Sequence, residues 1–158
     1  MYVSNRGDDN ISIIDTSTNL VVGTTPVGKT PEGLAVGSGE IYVANDSIDT
    51  VTVVREVDMQ KIAEIPVGGG PLGVGLAPDG KTAVVSNDTD GSVSLLATGT
   101  HTESAKVPSP SHPAGVAYLP DSTKAVIANN TGNSISVLTL LDGSVLTVPM
   151  LGSPTDVA

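Results

Sequence analysis

The sequence predicts an all-β fold, a β-propeller of about four four-stranded blades, from three observations. A unit of about 40 residues recurs four times in phase along the chain. The 158 residues include eighteen Gly and eleven Pro, which break helix interiors and suit short strands joined by tight turns. Hydrophobic residues make up 39%, yet Phe and Trp are absent, so the core must be built from Val, Ile, Leu and Ala.

The repeat is carried by three tracks. Tyr2-Val3-Ser4-Asn5 returns as Tyr42-Val43-Ala44-Asn45, Val84-Val85-Ser86-Asn87 and Val126-Ile127-Ala128-Asn129, the closing Asn residues being spaced by 40, 42 and 42. Ile11-Ser12-Ile13-Ile14 returns at the same spacings as Val51-Thr52-Val53-Val54, Val93-Ser94-Leu95-Leu96 and Ile135-Ser136-Val137-Leu138. A Pro-centred loop, Val27-Gly28-Lys29-Thr30-Pro31, returns as Val67-Gly68-Gly69-Gly70-Pro71 and more loosely as Pro108 to Pro113 and Met150 to Pro154. Residues 1–158 therefore form a single domain of four repeats, with phases starting near Tyr2, Tyr42, Val84 and Val126.

Each repeat resolves into four strands. The first follows the Pro loop: Glu32 to Val36, Leu72 to Ala77, Ala114 to Leu119, and Thr155 onward. The second ends at the repeated Asn. The third is the Ile-Ser-Ile track, whose alternation of β-branched and small polar residues is that of a half-buried strand. The fourth runs from near Val21 to Val27 and its equivalents. Val51 to Glu64 read alone fits an amphipathic helix, but its alignment with Ile11 to Thr24, which carries Asp15-Thr16-Ser17-Thr18-Asn19, predicts strand, turn, strand. A sheet of such aliphatic residues cannot bury both faces alone, so neighbouring units must stack face to face. Gly33, Gly73 and Gly115 each stand two residues past a Pro, where strands crowding a central axis leave no room for a side chain. Two closures are open: Thr155 to Ala158 could complete the blade begun by Tyr2 and close a small ring, or the four units form half of a larger ring.

Composition excludes several functions. Seven Lys plus Arg against seventeen Asp plus Glu give a formal charge of -10, which repels phosphate backbones and argues against a nucleic-acid partner. No apolar run reaches membrane-spanning length, so membrane insertion is not expected. Cysteine is absent, which removes disulfides, thiolate metal sites and cysteine nucleophiles. No leader precedes the first strand, which fits a cytoplasmic protein or a mature chain whose signal has been removed.

Tyr2-Val3-Ser4-Asn5, Tyr42-Val43-Ala44-Asn45, Ile11 to Asn19 and Pro26 to Val36 together resemble the YVTN-type β-propeller repeat of archaeal surface-layer and bacterial envelope proteins. The resemblance covers nearly the whole chain. It weakens in the third and fourth repeats, where Val84 and Val126 replace Tyr and the Val-Gly-x-x-Pro loop is degraded. It implies a propeller at the cell surface, in an extracellular or envelope location. It implies nothing about activity, because the pattern encodes strands and turns.

The candidate binding face is formed by the loops after the Asn track, with Asp8, Asp9, Asp46, Asp49, Asp88 and Asp90, together with Lys29 and His112 of the Pro loops. Hard cations prefer clustered carboxylate oxygens, so Asp88 and Asp90 are the candidate ligands of a divalent cation such as calcium. The competing reading is that Asp and Asn close tight turns by bonding their own backbone. No cofactor is predicted. His112 could act with Asp88 or Glu32, whereas the repeat register puts His101 at the outer rim, away from it. Arg6-Gly7-Asp8 spells an adhesion tripeptide, a match of three residues that arises readily by chance. Asn10, Asn45, Asn87 and Asn129 match the N-glycosylation pattern, the last three being the structural Asn of the repeat, whose side chain is expected to cap the following turn. No catalytic signature stands out. The expectation is a non-enzymatic binding or assembly module with a protein or glycan partner, or self-association into a larger ring or array. The alternative is a propeller enzyme with a metal or cofactor at the channel mouth.

Overall fold

The computed structural model describes residues 1–109 and 111–158. Fifteen strands and one 3-10 turn, Asp46–Ile48, are present among the described residues. The first sheet holds β1 (Tyr2–Asn5), β2 (Asn10–Asp15) and β3 (Leu20–Pro26). The second holds β4 (Pro31–Gly37), β5 (Glu40–Asn45), β6 (Thr50–Arg55) and β7 (Gln60–Pro66). The third holds β8 (Pro71–Leu76), β9 (Thr82–Asn87), β10 (Ser92–Ala97) and β11 (Thr102–Pro108). The fourth holds β12 (Pro113–Tyr118), β13 (Lys124–Asn129), β14 (Ser134–Thr139) and β15 (Val145–Pro149). All four are antiparallel meanders in sequence order, the local contact pattern of propeller blades. Val51 to Glu64 is strand, turn, strand, as the repeat alignment requires. No helix is long and apolar enough to cross a membrane among the described residues.

The sheets stack in chain order and bury their faces against one another. Ile11 meets Ile41, Val43 and Val54 between the first and second sheets. Tyr42, Ala44, Val51 and Val53 of the second meet Ala83, Val85 and Leu96 of the third. Val84, Val93 and Leu95 then meet Ala125, Ile127 and Leu138 of the fourth. Each fully buried Val, Ile or Leu contributes about 1.5–3 kcal/mol, so these interfaces are the main source of stability. Tyr42 is the one aromatic ring among the buried core residues, as the composition anticipates.

The inner strands β4, β8 and β12 approach one another at the predicted glycines. A Cβ at Gly33 would collide with the Leu72 carbonyl oxygen, and one at Gly73 with that of Ala114. Gly115 makes the same approach to Thr155 and Asp156, and its N–H donates to the Thr155 carbonyl at 3.1 Å. The small-ring closure, one of the two that the sequence leaves open, is not formed. The first sheet has three strands, not four. Thr155 to Ala158 do not complete it: they form no strand and lie beside β12, continuing the inner series beyond the fourth sheet. Among the described residues no substantial packing joins the first sheet to the fourth, so the four sheets form an arc.

The repeated Asn is a buried bridge rather than a cap for the turn that follows it. Its amide N–H2 donates to the side chains five and seven residues on: Asn45 to Thr50 and Thr52, Asn87 to Ser92 and Ser94, Asn129 to Ser134 and Ser136. Asn5 repeats this with Asn10 and Ser12. Asn45 also accepts the Gly28 N–H at 3.1 Å, tying the Pro loop to the sheet. Asn45, Asn87 and Asn129 are fully buried, so their glycosylation patterns are inaccessible in the folded chain. Removing a side chain that satisfies several buried groups costs about 2–3 kcal/mol. Asn45→Ala is expected to lower stability by that amount in urea unfolding, and Asn5→Ala, half-buried, by less than half as much.

Candidate functional site

One end of every sheet presents the loop after the repeated Asn beside the Pro loop, as the sequence register implies. Their backbone frame recurs in all four units. Val27, Val67, Ser109 and Met150 each donate an N–H to the carbonyl of Asp9, Asp49, Gly91 and Asn133, at 2.7–3.0 Å. Those acceptor residues are spaced by 40, 42 and 42 and all have left-handed backbones, φ 53, 55, 60 and 44°. Asp, Asn and Gly tolerate that region best, which explains the residue types found there.

From this position the side chain crosses to the neighbouring sheet. Asp9 Oδ1 accepts the Thr30 N–H at 3.0 Å, and Asp49 Oδ1 accepts the Gly70 N–H at 2.9 Å. Asn133 Oδ1 accepts the Ser153 hydroxyl at 3.0 Å. The carbonyls of Thr30 and Gly70 then accept the N–H groups of Asp46 and Asp88, and His112 accepts that of Asn130. Thr30 and Gly70, each before a Pro, are thereby held between loops of consecutive units. By contrast, Asp15, Asp79, Asp121 and Asp142, at the opposite end of the sheets, bond the backbone two residues on. Local turn closure is thus correct for one end of the molecule. At the other end the Asp9 and Asp49 carboxylates join sheet to sheet.

Lys29 hydrogen-bonds Asp9 through its ammonium, and both line a groove of ≈ 400 Å³ with Asp8, Ile48, Lys61 and Glu64. Arg6 spans Glu32 (2.7 Å) and Asp46 (3.7 Å), so the Arg6-Gly7-Asp8 arginine is spent on its own fold. His112 Nδ1 lies 3.1 Å from Asp88 Oδ1, which brings together one of the two pairs the sequence offered; Glu32 faces Arg6 instead. Asp90 faces Lys106 at 3.8 Å. The two proposed cation ligands therefore have separate cationic or imidazole partners. No group of three or more His, Cys, Asp or Glu able to hold a metal is present among the described residues.

Along the axis, Glu32, Leu72, Ala114, Thr155 and Asp156 line a second groove of ≈ 300 Å³. No histidine is among its described lining residues. His101, expected at the outer rim, lies at the end of the sheets opposite the loop face, in contact with the second sheet. Its Nε2 is 3.0 Å from Glu40 Oε1, and the Tyr42 hydroxyl donates to Glu40 Oε2. Burial, then the Glu40 hydrogen bond, pushes the Tyr42 hydroxyl pKa above its ordinary value. The three residues come from two sheets, and only the three-dimensional stacking unites them.

Solved structures match this fold. Hydrazine synthase of Kuenenia stuttgartiensis superposes with a TM-score of 0.85 at 28% identity, over 94% of this chain and 46% of that one. Dihydro-heme d1 dehydrogenase NirN in complex with DHE gives 0.73 and 18%, over 95% and 35%. A functionally unknown protein from Desulfotomaculum acetoxidans DSM 771 gives 0.74 and 22%, over 88% and 47%. The chain thus spans less than half of each of these structures. No protein-family model and no curated protein matches it.

Hydrogen bonding to Lys29, then to the Thr30 N–H, holds the Asp9 carboxyl below its ordinary pKa. A depressed folded-state pKa contributes stability above the unfolded value that is lost as pH falls through the folded one. Asp9→Asn is therefore expected to lower the melting temperature at neutral pH. The difference from wild type should vanish at a pH well below the ordinary carboxyl value of 3.8, as thermal melts at the two pH values would measure.

Proposed function

We propose that the chain is a non-enzymatic recognition and assembly module that engages a protein or glycan partner through the loop end of its sheets. The observation that carries this reading is that the four loops share one backbone frame while their side chains differ. Arg6, Asp46, Asp88 and Asn130 are equivalent positions, as are Asp8, Ile48, Asp90 and Gly132. A rigid frame with varied side chains reduces the ordering cost of binding and leaves specificity to the side chains. With a charge of -10 overall, the face is suited to a basic partner. The YVTN-type resemblance supports a cell-envelope or extracellular setting.

A second reading rests on the 28% identity to a hydrazine synthase chain. In that reading the arc is part of an enzyme carrying a metal or cofactor at the channel mouth. Calcium and zinc titrations followed by melting temperature discriminate the two: a metal-dependent rise abolished by Asp88→Asn with Asp90→Asn supports the enzyme reading, and no rise supports recognition.

The recognition reading is tested with a lysine-rich peptide as probe, in fluorescence anisotropy. Asp8→Asn with Asp90→Asn should weaken binding by roughly two- to thirtyfold, the loss of two exposed ion pairs of about 0.2–1 kcal/mol each. Asp142→Asn, at the opposite end of the sheets, should leave it unchanged. Equal weakening by both sets of substitutions would sink the assignment to this face.

A further inference from the structure

The left-handed loop position carries a side chain in three units and none in the third. Asp9 Oδ1 and Asp49 Oδ1 accept the N–H groups of Thr30 and Gly70, and Asn133 Oδ1 accepts the Ser153 hydroxyl. The third unit has Gly91 at this position. No side chain therefore reaches from it toward His112, which follows by 21 residues, as Thr30 follows Asp9 and Gly70 follows Asp49. Among the described residues the His112 N–H has no acceptor.

The slot left there keeps the shape of the other two. Gly91 has φ 60°, against 53 and 55° at Asp9 and Asp49. Its carbonyl accepts the Ser109 N–H at 3.0 Å, as theirs accept those of Val27 and Val67 at 3.0 Å. His112 has φ 55°, against 55 and 65° at Thr30 and Gly70. Its carbonyl accepts the Asn130 N–H at 3.0 Å, as theirs accept those of Asp46 and Asp88 at 3.0 and 2.9 Å. With the carbonyl anchored alike and φ matched, the His112 N–H takes the orientation that presents Thr30 and Gly70 to a carboxylate oxygen. The space it faces is open. A Cβ built on Gly91 meets, among the described residues, only the Ser109 carbonyl oxygen at 3.5 Å, an ordinary contact. Gly91 is half-buried and His112 is exposed, so the slot is reached from solvent.

We propose that this slot binds a carboxylate from outside the chain, held by the His112 N–H as the Asp9 and Asp49 carboxylates are held in the first two units. An ionised acceptor makes a stronger bond to an N–H than a neutral one does, which favours a carboxylate over a carbonyl. The second unit shows that a cation is not required: Asp49 bonds the Gly70 N–H and, among the described residues, stands in no ion pair. The carboxylates of the third loop are already engaged, Asp90 with Lys106 at 3.8 Å and Asp88 with the His112 ring at 3.1 Å. The chain's negative charge beyond about 8–10 Å is screened at physiological salt. A small free carboxylate and an Asp or Glu side chain of a partner offer the same chemistry here. The inference does not depend on the recognition reading.

Amide nitrogen–proton correlation spectra of the 158-residue chain test it, with sodium acetate as probe at constant ionic strength. The His112 resonance should move along a saturable path. Those of Thr30 and Gly70, whose acceptors are internal, should stay in place. Two substitutions reverse the pattern. Gly91→Asp supplies the missing carboxylate and should weaken acetate binding at His112 by about tenfold or more, the equivalent of one hydrogen bond to a charged group. Asp49→Gly empties the second slot and should make the Gly70 resonance respond. Should Gly91→Asp lose its strand signal in circular dichroism, Asp49→Gly carries the same test. A wild-type His112 resonance that ignores acetate overturns the site. So does a folded Gly91→Asp chain that responds as wild type does, or a Gly70 that stays still in Asp49→Gly. The peptide acetyl-Gly-Asp-Gly-amide separates the two sources: binding tighter than acetate assigns the slot to a partner's side chain, and equal or weaker binding to a small carboxylate. An equal response to the same peptide with Asn in place of Asp overturns carboxylate recognition.

Discussion

A small sheet with aliphatic side chains on both faces cannot stand alone in water, and the rest of this structure depends on that constraint. With no Phe or Trp to fill space, each face must be covered by many small contacts made by another sheet of the same shape. Equal repeats meet this requirement, because the face that fits one neighbour fits the next. The inner glycines follow from the same need: the sheets converge at the axis until one strand's Cβ would strike the next strand's carbonyl. Tight convergence in turn leaves the loop end of each sheet within hydrogen-bonding reach of its neighbour.

The loop end is therefore a consequence of packing before it is a site. Once Asp9 and Asp49 bond the backbone of the next unit, the left-handed position they occupy has two demands on it. It must tolerate positive φ, and it must supply an acceptor that reaches across. Asp and Asn satisfy both, while Gly91 satisfies only the first, so the third unit relies on other links there. One of these is His112 to Asp88, at 3.1 Å. The positions whose duty falls on the backbone N–H or on no cross-sheet bond, Arg6 and Asp8 and their equivalents, are the ones whose side chains change from unit to unit.

The fold was legible because its determinants are periodic. Strand positions, the Pro loops and the crowded glycines all recur at fixed spacing, and the structure places strands where that spacing predicts. The helical pattern of Val51 to Glu64 illustrates the advantage: local periodicity was ambiguous, while comparison with Ile11 to Thr24 decided correctly. The Asn track is legible but its role is not, because a cap on the next turn and a bridge to residues five and seven positions on begin from the same residue. The recurrent Thr or Ser at those two positions was the available signal. The cross-sheet duty of Asp9 and Asp49 was hidden for a different reason: an Asp in a loop has a sufficient local explanation. That explanation holds for Asp15 and Asp142. Nothing in the residue type separates the two cases, which differ only in which end of the sheet the loop occupies. The Tyr42–Glu40–His101 cluster was illegible because its members lie in different repeats, 59 residues separating Tyr42 from His101.

The clusters along the arc are unequal, and the inequality has a physical consequence. Nine buried residues form the cluster between the second and third sheets, six that between the third and fourth, and four that between the first and second. At about 1.5–3 kcal/mol for each large aliphatic side chain, the first sheet is held least firmly to its neighbour. It is also the sheet with only three strands and with Met1 and Val3 uncovered. The Asp9 link to Thr30, the Arg6 bridge to Glu32 and the Ser4 hydroxyl donating to the Glu32 carbonyl all concentrate at this same boundary. Polar links thus accumulate where apolar cover is thinnest. Because Asp9 and Arg6 also belong to the loop face, the geometry of that face is tied to how firmly the first sheet is covered.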